Sequence, residues 1–172
     1  LLALELLEGS KNTKVLNEIE DLYCIGTIAD MAPIRGANLI WLRKNIGKLH
    51  LTNIMGLKSI YKLAGLLDNK ITAEDIGFKI APRINAVGRL SDPNKVIELL
   101  LIDNESESME IARECESLNK SRRLLVDQIV EEAIVILETN ANEIPPMILL
   151  AQDHWHQGVV GIVAARLVNI YN

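Results

Sequence analysis

The run Met147-Ile148-Leu149-Leu150-Ala151-Gln152, followed closely by Trp155-His156-Gln157-Gly158-Val159-Val160-Gly161-Ile162-Val163-Ala164-Ala165-Arg166-Leu167, decides the fold class. A short apolar segment of strand character leads into an imidazole, two glycines and the apolar start of a helix. After a strand, glycines let the backbone approach a ligand, and the first free N–H groups of a helix direct partial positive charge at it. The pattern predicts an α/β unit with an anion-facing turn at His156 and Gly158. Its alternative is that Gly-x-x-Gly serves only to pack the helix start closely.

Upstream of this unit, Asn140 to Pro146 breaks a long periodic segment. From Glu105 to Thr139 there is no Gly or Pro, and Ile111, Cys115, Leu118, Leu125, Ile129, Ala133 and Ile136 recur at helical intervals. This predicts one amphipathic helix of about 50 Å at roughly 1.5 Å per residue, suited to a connector or packing arm. The chain before it is mostly helical in pattern, over Val15 to Ile28, Ala37 to Leu49 and Ile54 to Leu67. Thr72 can cap a helix beginning at Ala73, with Glu74 and Asp75 favouring its dipole. Pro82 is expected to disrupt that helix, bending the chain at Ala81-Pro82 and setting Arg83 beside a reversal. Asp92-Pro93 opens a further helix whose Val96, Ile97, Leu99, Leu100 and Leu101 all read as buried.

At 172 residues and 49% hydrophobic content, the chain has the material for one sizeable core or parts of two. Aromatic residues supply only 3%, which argues against a module that binds single strands mainly by stacking bases on rings. Cys24 and Cys115 lie far apart in apolar, helix-like contexts and read as packed, reduced thiols. A reducing, cytoplasmic setting is the expectation. No apolar run approaches the roughly 18 residues needed to span a bilayer, and Leu1 to Leu7 carries Glu5 and no basic flank, so no membrane partner is expected.

The formal charge of -5 counts against a nucleic-acid ligand until its distribution is considered. Between Met31 and Ser91 there are ten basic residues and three acidic ones, leaving eight basic and twenty acidic elsewhere. A basic block beside an acidic remainder is an electrostatic footprint for a polyanion. The alternative is a solvated, lysine-rich helical surface.

Within this frame three groups of residues can carry chemistry. Asp30 ends an apolar helix-like run, and a carboxylate there is an oxygen donor of the type that Mg²⁺ and Mn²⁺ prefer. Arg83 and Arg89 suit phosphate oxygens through their planar, paired donors, with Asn85 able to donate to phosphate or hold an arginine. Packing alternatives remain: a hydrogen-bonded Asp30 near the Pro33 turn, Arg89 paired with a carboxylate such as Asp92, and Asn85 as a helix cap. His154 and His156 flank Trp155, but zinc needs about four ligands and the cysteines lack the spacing, so zinc is discounted. His154 reads as a surface residue and Trp155 as packing.

Three motifs in register carry a resemblance: Gly26-Thr27-Ile28-Ala29-Asp30-Met31-Ala32-Pro33, Ala81-Pro82-Arg83-Ile84-Asn85-Ala86-Val87-Gly88-Arg89-Leu90, and Trp155 to Leu167. With Gly56-Leu57-Lys58, Ile71 to Phe78 and Glu98 to Leu101, the chain resembles the RecJ family of single-strand-specific DNA exonucleases, in the DHH phosphoesterase superfamily. The resemblance implies the C-terminal part of a DHH domain over 1–104, a connecting helix over 105–140, and the beginning of a DHHA-type α/β domain over 141–172. It implies a centre of two Mn²⁺ or Mg²⁺ ions for which Asp30 is the last carboxylate ligand. The family's Asp-x-Asp and Asp-His-His motifs do not occur in the sequence. The chain, which begins without Met and stops inside an apolar periodic run, reads as an internal piece that is catalytically inactive by itself. By the same resemblance Arg83, Asn85 and Arg89 hold a DNA strand, and His156 and Gly158 face the substrate cleft. The implied activity is 5′-to-3′ degradation of single-stranded DNA in repair and recombination. The rivals are a DHH phosphoesterase acting on short oligonucleotides or cyclic dinucleotides, and a degenerate nucleic-acid-binding fragment.

Overall fold

The computed structural model describes residues 13–67, 69–140 and 147–171. Its elements are α1 (Thr13–Ala29), α2 (Ala37–Asn45) running into a 3-10 turn (Ile46–Leu51), and α3 (Met55–Leu63). Next come a short α4 (Ala73–Asp75), a π turn (Ile76–Ile80), α5 (Ala81–Leu90) and α6 (Asn94–Leu101). The long α7 (Glu105–Asn140) and α8 (Val160–Tyr171) complete the described chain.

Local chemistry accounts for most boundaries. Thr72 caps α4 as expected: its hydroxyl accepts from the Asp75 N–H at 3.1 Å, and the Asp75 carboxylate accepts from the Thr72 N–H at 3.1 Å, a reciprocal capping box. Asp92 opens α6 by accepting from the Asn94 N–H at 2.9 Å. Gly56 in α3 has a packing reason. A Cβ there would lie 2.0 Å from the Leu99 carbonyl oxygen, so only glycine lets α3 and α6 approach this closely.

The expected bend at Ala81-Pro82 is absent. Ala81 is α-helical at φ -56° and ψ -41°, and the helix runs on to Leu90. The proline is accommodated by its placement. It falls in the first turn of α5, where a missing N–H is tolerated, and the π turn before it widens the helix so that Ala81 N–H reaches the carbonyl of Ile76. Arg83 therefore sits on a regular helix face.

Two apolar clusters share α7. The first gathers Cys24, Leu49, Leu57, Ile60, Ile76, Ile80, Val87 and Leu99 with Ala112 and Cys115. The second gathers Val126, Ile129, Val130 and Ala133 with Val159, Val163 and Leu167. Along α7 the residues Ser108, Ala112, Cys115, Asn119, Val126, Ile129 and Ala133 are buried, at the three- and four-residue steps of a helix seam apart from one seven-residue gap between Asn119 and Val126. Ser108 is satisfied within it by the Ser59 hydroxyl of α3 at 2.8 Å. Between the two clusters the seam turns polar, at Asn119 and the half-buried Arg122.

Two expectations about apolar segments fail. Met147 to Ala151 forms no strand, and no strand occurs among the described residues. A strand's backbone groups need a neighbouring strand, and none of the described chain supplies one. In α6, Leu99 is buried, but Ile97 and Leu101 are 56% and 75% exposed. An eight-residue helix packed on α3 and α7 has an outer face, and those two residues occupy it.

Candidate nucleic-acid interface

Asp30 stands at the point where α1 unwinds. The end is closed by Asp30 N–H to Gly26 O at 3.0 Å, Met31 N–H to Ile28 O at 3.1 Å and Ala32 N–H to Thr27 O at 3.0 Å. The last of these is the six-to-one bond of a Schellman closure, whose left-handed residue is usually glycine. Here Met31 takes it, at φ 53°, with its side chain 91% exposed. A methionine in that conformation is strained and gains no packing in return, so the backbone beside Asp30 is held against local preference. The segment that follows is tied back by Asn38, whose amide donates to the Pro33 carbonyl at 3.0 Å. Asp30 is exposed, and its carboxylate accepts no hydrogen bond and makes no ion pair with any described residue. The alternative of a carboxylate satisfied at the Pro33 turn is not what the structure contains. A free carboxylate of this kind suits one position of a hard-cation site. It has no company among the described residues, where no three His, Cys, Asp or Glu side chains cluster in a way that could hold a metal.

Arg83, Asn85 and Arg89 all lie on α5, which packs against α7 and also touches α1. Their environments differ. Arg83 is engaged: its Nε sits 2.6 Å from Glu116 Oε2 on α7, and Nη1 donates to the Lys79 carbonyl. The Nε contact is too bent to count as a hydrogen bond, leaving both buried atoms in ionic contact only. Asn85 is exposed and caps no helix. Arg89 is exposed and pairs with no carboxylate among the described residues; its Nη1 donates to the Gly158 carbonyl at 3.1 Å.

That last bond links the two packing units, because Gly158 lies just before α8. The contact runs in both directions: a Cβ on Gly158 would fall 2.1 Å from the Arg89 carbonyl oxygen. The Gly158 N–H donates to His156 Nδ1 at 3.0 Å. Close packing, the alternative reading of the glycines, thus describes Gly158 itself, and its N–H already has a partner. His156 gains from this arrangement. With Nδ1 accepting, the neutral ring carries its proton on Nε2, which leaves an exposed imidazole with a donor to offer.

Trp155 packs against the second cluster, and its Nε1–H donates to Glu132 Oε2 at 2.8 Å. His154 is not a bare surface residue, since its Nε2 lies 2.8 Å from the same oxygen. Gln128 donates to the other oxygen, Oε1, at 3.0 Å. The indole, amide and imidazole bonds together hold the Glu132 carboxyl well below the usual carboxylate range.

The basic block does not form one open patch. Lys62 pairs with Glu105, Lys79 with Asp75, and Arg83 with Glu116, so the acidic α7 takes up part of the charge. Sequence reasoning missed Glu116, Glu132 and Arg122. The first two pair locally with Lys120 and Gln128, as many helix-surface glutamates do, while the partners that make them part of the site, Arg83, Trp155 and His154, lie far away along the chain. Arg122 did carry one: it occupies a seam position, in the gap between Leu118 and Leu125 where the apolar repeat skips a step.

Fold and packing together define a helical segment in which two apolar clusters share one long helix. No protein-family model matches the chain. It is 38% identical over 153 residues to the single-stranded-DNA-specific exonuclease RecJ of Bacillus subtilis, covering 89% of this chain and 19% of that protein. Against RecJ of Escherichia coli it is 34% identical over 156 residues, covering 88% and 27%. Its fold matches the crystal structure of RecJ from Thermus thermophilus in complex with Mg²⁺, with a TM-score of 0.80 at 31% identity, over 90% of this chain and 24% of that one. A crystal structure of RecJ bound to manganese matches with a TM-score of 0.77 at 32% identity, over 90% and 38%. By sequence and by fold the chain is similar to RecJ proteins over about nine-tenths of its own length, and it spans about a fifth to a quarter of the length of these curated relatives.

Proposed function

We propose that this chain serves as the helical middle of a 5′-to-3′ single-stranded-DNA exonuclease that hydrolyses phosphodiesters with Mn²⁺ or Mg²⁺. The observation that carries the reading is the agreement with RecJ proteins in sequence and fold across nine-tenths of the chain. In this reading residues 1–104 complete a DHH domain, 105–140 connect, and 141–172 begin a DHHA-type domain. The two apolar clusters on either side of the polar step in α7 support that division. Asp30 would contribute one carboxylate to a pair of cations, and such a centre would supply activation of water and stabilisation of charge on the leaving oxygen. Its free, exposed carboxylate and the strained backbone beside it support the role. The remaining metal ligands come from Asp-x-Asp and Asp-His-His motifs that this sequence does not contain, so the chain by itself is inactive. Arg83, Asn85, Arg89 and His156 hold backbone phosphates, and Arg83 must exchange Glu116 for the strand to do so. Repair and recombination in the cytoplasm are the proposed setting. Among the described residues no helix is long and apolar enough to cross a membrane.

The test uses a full-length protein containing this chain, with Mn²⁺ or Mg²⁺, on long single strands labelled at either end and on dinucleotides in parallel. Stepwise loss from the 5′ end is the expected result. Cleavage of dinucleotides alone would move the protein to the small-substrate phosphoesterases, and cleavage of neither would leave only nucleic-acid binding.

A further inference from the structure

The turn from Gln152 to Val159 carries His156 and is drawn together by short backbone bonds. Trp155 N–H reaches the Gln152 carbonyl at 3.1 Å, and Val159 N–H reaches the His156 carbonyl at 3.1 Å. Such bonds give the turn its shape, and side chains decide where it sits. On one flank Val159 is fully buried in the second cluster, and Gly158 lies tight against the Arg89 backbone. On the other flank the anchor is Trp155, whose ring packs on the same cluster and whose Nε1–H donates to Glu132 Oε2 at 2.8 Å. His154 Nε2 lies 2.8 Å from that same oxygen, and Gln128 donates to Oε1 at 3.0 Å. Both oxygens of the half-buried Glu132 are therefore occupied, and two of these three partners come from the turn. An ionised carboxylate accepts several bonds at once, and each is stronger than its neutral counterpart.

We propose that Glu132 is a positioning residue for the nuclease reaction, holding Trp155 so that the turn presents the His156 Nε2–H at a fixed place. His156 follows Trp155 directly and lies between the two anchors, with its ring steadied by the Gly158 N–H on Nδ1 at 3.0 Å. A shift of Trp155 therefore moves the imidazole with it. The same helix carries Glu116, which holds Arg83, so α7 sets the place of one group in each packing unit. What His156 does for the substrate rests on the exonuclease reading, whereas the tie from Glu132 to the turn stands on the geometry alone. If Glu132 were only a fastener for the second cluster, its removal would cost stability independently of His156. A positioning role predicts instead that its effect on the reaction passes through His156.

The test is a double-mutant cycle in a full-length protein containing this chain, with kcat and KM measured for Mn²⁺-dependent cleavage of a 5′-labelled single strand. Glu132→Ala is expected to lower kcat/KM about 10- to 100-fold, the scale on which misplacing a group by about 1 Å costs rate. In a His156→Ala background the same change should cost nothing further, because the residue it positions is gone. Hydrogen exchange over residues 153–160 should quicken about tenfold in Glu132→Ala, as the turn opens more often without its charged acceptor. Wild-type kcat/KM or unchanged exchange in Glu132→Ala overturns the proposal. So does wild-type activity in His156→Ala, or a loss from Glu132→Ala that adds in full to that of His156→Ala. Should Glu132→Ala melt early, Trp155→Phe takes its place with the same expectations, since it removes the indole N–H and keeps a ring in the cluster. A wild type that cleaves from the 5′ end while the cycle is additive sinks this role and spares the exonuclease reading. A wild type that never cleaves sinks that reading, and exchange alone then decides the role of Glu132.

Discussion

The two ends of α7 do the same geometric job in different company. Toward its N-terminus the seam enters a core supplied by the helices from α1 to α6, with Leu57, Ile60, Ile76 and Ile80 fully enclosed. Toward its C-terminus the seam meets α8, the segment before it and Leu90 at the end of α5, and Met147, Leu149 and Val168 remain well exposed. The first unit is held chiefly by apolar burial, with polar ties to α7 from Ser59 to Ser108 and from Arg83 to Glu116. The second has a smaller apolar cluster and depends more on discrete polar ties: Arg89 to Gly158, Arg166 to Asp127, and Trp155 and His154 to Glu132. The contrast teaches that one helix can be rigidly seated at one end and lightly seated at the other, with a charged step between.

The largest effect should come from the deeper core. Leu57→Ala removes a fully enclosed side chain and is expected to cost about 2–5 kcal/mol. Leu167→Ala, in the thinner cluster and 8% exposed, should fall near the low end, about 2 kcal/mol. The chain has two tryptophans, Trp41 in α2 and Trp155 in the second cluster, so each unit has its own fluorescence reporter. Leu167→Ala should lower the thermal transition seen by Trp155 more than the one seen by Trp41. Equal shifts would show that the units melt as one and break the comparison.

Acid should separate the units further, in opposite directions. Burial pushes the Asp21 carboxyl up to about 6, with a hydrogen bond from Thr52 opposing. Because the folded form holds its proton more tightly than the unfolded chain does, the first unit should gain stability as pH falls from about 6 toward the ordinary carboxylate range. Asp21→Asn should flatten that dependence in melts followed at Trp41. Glu132 is depressed instead, so its ties should persist through the pH range in which an ordinary glutamate protonates, and fail only in stronger acid. Glu132→Gln should alter Trp155 emission at neutral pH and leave Trp41 emission unchanged.

How far the sequence reveals this depends on whether the deciding interaction is local. The α7 repeat and the Thr72 cap are legible because their partners lie within a turn or two. The run at 147–151 has strand character, but a strand is a property of a pair, and its residues alone do not say whether a neighbour is present. Pro82 misleads for a related reason: the π turn that accommodates it is a backbone adjustment with no residue signature of its own. Among the site residues, the Asp30 and Asn85 side chains have no partner among the described residues, while Arg83 is taken up by Glu116 from a helix thirty-odd residues later. The smallest effect belongs to Met31, whose strain does not depend on packing. Met31→Gly should stabilise the first unit by about 1 kcal/mol in chemical denaturation, relieving a left-handed residue without removing a buried contact.

The most direct test of the account is Asp30→Ala in a full-length protein containing this chain, measured in parallel for Mn²⁺-dependent cleavage of 5′-labelled single strands and for strand binding. The account predicts that cleavage is lost, with turnover down at least about 1,000-fold on the scale of removing a group that stabilises transition-state charge, while affinity for the strand changes little. Turnover at the wild-type rate would contradict it, because the free carboxylate at the end of α1 would then have no part in holding the metal.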